Sequence, residues 1–256
     1  MNRFFETLKN IWTIEDLRVR IINTLGLLLI YRLGSYVVLP GIDSDALAIA
    51  NAGNSGGIAG LLDLFAGGAF SRASIFALGI MPYISASIIM QLLGFAIPQI
   101  QKMQQDGESG RKKINNYTRL LTIAICAFQA PSYISLTVPP QALVDATPFW
   151  WVSTVALLIG GTMFVMWIGE KITDRGIGNG ISMLIFAGIV AGFPTAIGAA
   201  FESARQGDLH ILMLLVIAVV AMAVIWAIVR IERGQLTGSD VDRVHVLVGQ
   251  RRVVFP

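Results

Sequence analysis

Long apolar stretches alternate with short polar ones along this chain. Six of them approach the roughly 20 residues that a membrane-crossing helix needs: residues 21–39, 73–97, 117–136, 149–169, 181–200 and 211–229. The polar linkers hold the charges, and hold them unevenly. Arg3, Lys9, Arg18 and Arg20 precede the first stretch, and Lys102, Arg111, Lys112 and Lys113 follow the second. Lys171 and Arg175 follow the fourth, and Arg230 and Arg233 follow the sixth. Linkers 40–54 and 138–148 contain no Lys or Arg, and the fifth linker has only Arg205. Cationic loops stay on the cytoplasmic side, so this asymmetry predicts six spans with both termini in the cytoplasm. Trp150 and Trp151 fit an outer aromatic belt and Trp167 an inner one.

Three segments depart from this pattern. In residues 1–20, Phe4, Phe5, Leu8, Ile11 and Trp12 share one helical face, away from Arg3 and Lys9. That reads as an amphipathic helix on the cytoplasmic surface, or as an ordinary packed surface helix. The apolar run after it is too long for a signal-peptide core and lacks a small-residue cleavage site. The second departure is "GGIAGLLDLFAGG" at 56–68, apolar but too short to span, bracketed by glycine pairs and carrying Asp63. Such a piece sits at membrane depth only when protein surrounds it or it lines a watery cavity. It reads either as a re-entrant or surface loop, or as a movable element in a cavity mouth. The third is "SIFALGIMPYIS" at 74–85, where Gly79 and Pro82 suggest a broken helix.

Composition sharpens the class. Hydrophobic residues make up 55% and charged residues only 14%, against about a quarter charged in soluble domains. Cys126 lies in an apolar run and reads as a packing residue, while His210 and His245 are too scattered for a metal cluster. No span has a His, Asp or Glu in its middle, which argues against an intramembrane protease. "GESGRKK" at 107–113 lacks the phosphate-loop spacing and reads as a solvated cytoplasmic turn. No enzyme activity, metal or cofactor is expected. Arg32 is the one formal charge deep in a span, and reads as snorkelling or paired within the bundle. A self-contained six-span small-solute transporter is the rival reading. Transporters usually carry midplane carboxylates, which are missing from these spans. The cavity surface expected here is apolar with mild polar groups: Ser85, Ser87, Gln91 and Gln129. It would hold no particular solute but would tolerate a chain of varied side chains.

One pattern repeats. Ile80, Ile84 and Ile88 are four apart, and Ile177, Ile181 and Ile185 repeat the spacing within "GIGNGIS". Stiff isoleucines in a ring would make a hydrophobic gasket that dewets yet widens. Ordinary packing or lipid contact accounts for the same spacing. The strings 67–93, 107–119 and 161–194 closely resemble the SecY family, central subunits of the bacterial protein-conducting channel. The resemblance runs over nearly all of residues 1–235.

That resemblance implies an all-α, polytopic helical membrane protein: a half-clamshell with a short re-entrant plug helix. The plug would include Gly57, Leu61, Leu62, Asp63, Phe65, Gly67 and Gly68. Ile80, Ile84, Ile181 and Ile185 match pore-ring positions, and Ser85, Gln91 and Gln129 lateral-gate positions. Implied partners are SecE, SecG, the SecA motor that hydrolyses ATP, the ribosome, signal sequences and nascent polypeptides, and membrane lipid. The implied site is the bacterial inner membrane. The implied layout is a cytoplasmic segment 1–20, the first half of the channel at 21–200, and a sixth span with the start of a cytoplasmic loop at 201–235. Residues 236–256 form a divergent tail, in which 236–250 read as an insertion. Arg233, Arg251 and Arg252 would face the ribosome or SecA, or simply follow the inside-positive bias. The family has ten spans and this chain six, so by itself it is expected not to translocate protein.

Overall fold

The computed structural model describes residues 13–51, 57–143, 147–206, 213 and 215–232. The apolar face expected of the N-terminal segment, Phe4 to Trp12, falls outside these residues, and so does the whole divergent tail. The described chain runs α1 (Glu15–Gly34), α2 (Ser44–Asn51), α3 (Gly57–Ala66), α4 (Met81–Ala96), α5 (Pro98–Gln105) and α6 (Gly107–Thr137). A 3-10 turn at Pro140–Ala142 leads to α7 (Pro148–Arg175), α8 (Gly180–Gln206) and α9 (Leu215–Glu232). Two compact units divide the chain, Met1–Phe193 and Pro194–Pro256.

The all-α membrane architecture matches the sequence reading. α6, α7, α8 and α9 are each long and apolar enough to cross a bilayer. α4 and α5 qualify only together, and they meet at 103° where Pro98 follows the extended Ile97. α1 carries Arg18, Arg20 and Arg32, which lower its hydropathy, but its Leu25, Leu29 and Leu33 form one exposed stripe. Exposed apolar side chains such as Phe95, Phe128 and Phe149 are ordinary where the solvent is lipid. In the second unit, α9 exposes every one of its described side chains.

Two expectations need correction. The second apolar stretch is not helical from 73 onward; α4 begins at Met81, with Pro82 in its first turn, where no backbone donor is needed. Residues 69–80 instead make a series of turns. Most of them are buried, and part of their backbone is paired: Leu39 N–H donates to Ala73 O at 2.9 Å and Ile75 N–H to Val37 O at 2.9 Å. Irregular backbone at membrane depth is tolerated when it is enclosed in this way. "GESGRKK" is not a turn either. It forms the first two turns of α6, with Glu108 and Lys112 paired at 3.0 Å one turn apart.

The first unit has two apolar clusters. α6 and α7 pack against residues 69–77, with Phe70, Ile134, Trp150 and Leu158 in the core. There Tyr133 donates its hydroxyl to Phe70 O at 2.7 Å while its ring meets Phe70 edge-on. Trp150 Nε1 donates to Pro40 O at 2.8 Å. The second cluster joins Tyr31, Phe76, Ile80, Val165, Ile168, Ile172 and Leu184. Between membrane helices, packing and hydrogen bonds must replace the hydrophobic drive that water would supply. Tyr133→Phe removes this donor while the Phe70 carbonyl keeps the Ala73 N–H at 3.3 Å, and is expected to cost about 0.5–1.5 kcal/mol. Thermal unfolding in detergent checks this; an unchanged midpoint contradicts it.

Candidate functional site: an apolar cavity at the end of a short helix

The cavity has a volume of about 450 Å³ and lies in the first unit. Its wall comes from the end of α3, the irregular residues 77–80, α4, α6 and α8. Phe65, Ile80, Ile84, Ser85, Gln129 and Ile185 all contribute to it.

Three of the four isoleucines expected at a constriction thus share one wall. The fourth, Ile181, packs with the others against the second apolar cluster but is not on the wall. Ile80 and Ile177 precede their helices instead of riding on them, so the repeat is helical only from Ile84 and Ile181 onward. Ile88 points away and is half exposed. Of the expected polar members, Ser85 and Gln129 line the cavity, whereas Gln91 is exposed elsewhere on α4. The side chains of Leu61 and Leu62, and Arg233, Arg251 and Arg252, lie outside the described residues.

α3 begins at Gly57 and ends in a double glycine that does specific work. Gly67 N–H donates to Leu64 O and Gly68 N–H to Asp63 O, at 3.3 and 2.9 Å, which is a Schellman cap. Gly67 and Gly68 take φ of +65° and +83°, which side-chain-bearing residues adopt at a cost. Asp63 accepts the Ser71 N–H through Oδ1 at 2.9 Å and so fastens the following turn. The cap also lies against α8: a Cβ on Gly188 would sit 2.8 Å from Phe65 O.

Sequence reasoning missed the groups around that cap. Arg32 Nη1 donates to Gly67 O at 2.5 Å, and Arg72 Nη2 donates to the same oxygen at 3.2 Å. Arg72 Nε also donates to Gly68 O at 2.7 Å. The ring of Tyr36 lies beside both guanidinium groups, 4.4 Å from Arg72 and 5.1 Å from Arg32. Pairing, not snorkelling, accounts for Arg32. Arg32 stood out in sequence as a charge deep in a span, but nothing there indicated its carbonyl partner or the role of Arg72.

The start of α8 is held by two threonines used in the same way. Thr24 donates back to Arg20 O at 2.8 Å and accepts Ile177 N–H at 3.1 Å. Thr173 donates back to Gly169 O at 2.9 Å and accepts Gly180 N–H at 2.9 Å. Asn179 Oδ1 caps α8 by accepting from Ile181 and Ser182 N–H. At the same end of the bundle Arg119 of α6 grips Glu170 of α7 through two hydrogen bonds, at 3.2 and 2.6 Å.

Apolar spanning helices, enclosed irregular backbone and an apolar cavity lined in part by the end of a sub-spanning helix define a polytopic membrane protein of channel-like architecture. The structure is similar to Sec61 in the canine ribosome–channel complex from the endoplasmic reticulum, at a TM-score of 0.56 and 21% identity, covering 74% of this chain and 42% of that one. It is also similar, at a TM-score of 0.54 and 22% identity over 74% of this chain and 41% of that one, to a SecY whose plug domain stabilizes the closed state of the translocation channel and maintains a membrane seal. The SecY family profile matches residues 74–237. Protein translocase subunit SecY of Vibrio cholerae is 51% identical over 226 residues, 87% of this chain and 50% of the relative. The chain belongs to the SecY family. It spans about half the length of such relatives.

Proposed function

We propose that this chain supplies the first half of a protein-conducting channel, which passes unfolded secretory proteins across the bacterial inner membrane and releases membrane segments into the lipid. One observation carries this reading. The cavity gathers the end of α3, the three isoleucines Ile80, Ile84 and Ile185, and the polar Ser85, Gln129, Ser132 and Tyr133, without a charge on its wall. Such a lining binds nothing in particular, which suits a passage for varied side chains and not a solute site. In this reading residues 57–68 are the plug. Ile80, Ile84 and Ile185 form part of the pore ring, with Ile181 supporting them from behind. Ser85 and Gln129 belong to the lateral gate. The protein is a channel and not an enzyme; the energy comes from SecA or the ribosome, with SecE and SecG as further subunits. Residues 21–200 make the half-channel, and residues 201–235 carry the sixth span toward a cytoplasmic docking loop.

The orientation follows from the linker charges, with the N-terminus in the cytoplasm. Single cysteines at Ser109 and Gln141, both exposed, should react with an impermeant thiol reagent from opposite sides of the membrane in a Cys126→Ala background. Labelling of both from one side sinks the topology. Completing the chain with the second half of a SecY relative should give signal-sequence-dependent import into vesicles. Saturable small-solute uptake by the 256-residue chain would favour the transporter instead.

A further inference from the structure

We propose that Arg32 is the fixed post to which the C-terminal end of α3 is fastened at rest, with the Gly67 carbonyl as the catch. This rests on the reading of residues 57–68 as the plug. The Gly67 carbonyl closes the C-terminal end of α3, where the helix dipole is negative and cations are favoured. Two guanidinium groups converge on its oxygen. Among the described residues neither arginine enters an ion pair; both spend donors on backbone carbonyls. The face of Tyr36 lies beside both cations, and its hydroxyl accepts from Arg32 Nη2 at 3.2 Å. The ring thereby holds Arg32 in its pose.

The two arginines are not equivalent. Arg72 reaches carbonyls four and five residues back, so it travels with α3 and stiffens its exit turn. Arg32 reaches across 35 residues from α1. Arg32 thus ties the cap to a different helix, α1. α3 leaves its seat only after this charge-assisted hydrogen bond breaks, while the contact with Gly188 offers the cap a surface but no bond.

The test uses the chain completed with a cysteine-free second half of a SecY relative, in a Cys126→Ala background with a reporter cysteine at Phe65. Reaction of that cysteine with an impermeant maleimide reads release of α3. Ion conductance in planar bilayers without translocation partners reads the seal. Arg32→Gln should raise both about tenfold or more, the scale of one hydrogen bond to a charged group. Arg32→Lys, which keeps the charge but loses the fork, should raise both by less. Arg72→Gln should change either by less than about threefold, since it breaks no bond between helices. Faster labelling at unchanged conductance supports the post and refutes the plug reading. Parent-like labelling in Arg32→Gln, at normal insertion, overturns the post, as does an Arg72→Gln effect equal to that of Arg32→Gln. Should Arg32→Gln fail to insert, Arg32→Lys decides: no rise in labelling overturns the proposal.

Discussion

Replacing Ile84 and Ile185 together by glycine is expected to raise the resting ion conductance of a completed channel at least about tenfold. Both side chains line the cavity, one from α4 and one from α8. Keeping such a side chain from water is worth roughly 1.5–3 kcal/mol, and about 1.4 kcal/mol is a factor of ten in an equilibrium. A constriction that has lost two of them no longer repels water strongly, and ions follow water. Ile181 provides the internal control. It packs against the second apolar cluster and does not line the cavity, so Ile181→Gly should lower stability more than it raises conductance. Planar-bilayer recordings without SecA or ribosomes read the effect. Parent-like conductance in the double variant would return both residues to ordinary packing.

Fixing α3 in place is expected to abolish transport by the same completed channel. Phe65 and Gln129 stand on one cavity wall, from α3 and α6. Cysteines at these two positions in a Cys126→Ala background, joined by a short bismaleimide, should bring import of a secretory protein into vesicles down to background. A long, flexible cross-linker should restore part of it. The contrast matters because modification alone is the same in both cases; only the allowed travel of α3 differs. Full import through a channel with the short cross-link verified by mass would end the plug reading.

Helix identity was largely legible in the sequence, because apolar length is a local property. α7 and α8 cover the stretches expected for them and extend past their polar ends. The turns at 69–80 were not legible, although Gly79 and Pro82 marked the trouble. Their backbone is stabilised by Val37 and Leu39, some 35 residues earlier, and hydropathy carries no record of that pairing. The start of α6 was missed for the opposite reason. Its charges looked like a loop, but they form a solvated helix supported by a Glu108–Lys112 pair. At the site, the isoleucine spacing left packing and a gasket equally open, and the family resemblance pointed to Ile80, Ile84, Ile181 and Ile185, of which all but Ile181 line the cavity. Ile88 shares the spacing but is half exposed. Gln91 was selected for its polarity on a span that the resemblance matched to the lateral gate, and neither says which way a residue on a helix points. Arg32 was visible as a charge in a span. Its acceptor was not, because that acceptor is a carbonyl exposed by a Schellman cap, and any residue type carries a carbonyl.

The two threonine relays have a mechanical consequence. The footing of α8 is bonded to α1 through Thr24 and to α7 through Thr173. Sliding α8 along its own axis would tear bonds from two neighbours at once, whereas leaning about Gly180 leaves both intact. Ile185 lies five residues further on, about 7.5 Å along the helix. A lean therefore sweeps Ile185 sideways while its height in the bilayer stays nearly constant. In the channel proposed above, aperture and depth then become separate coordinates, and the bore changes without moving the waist.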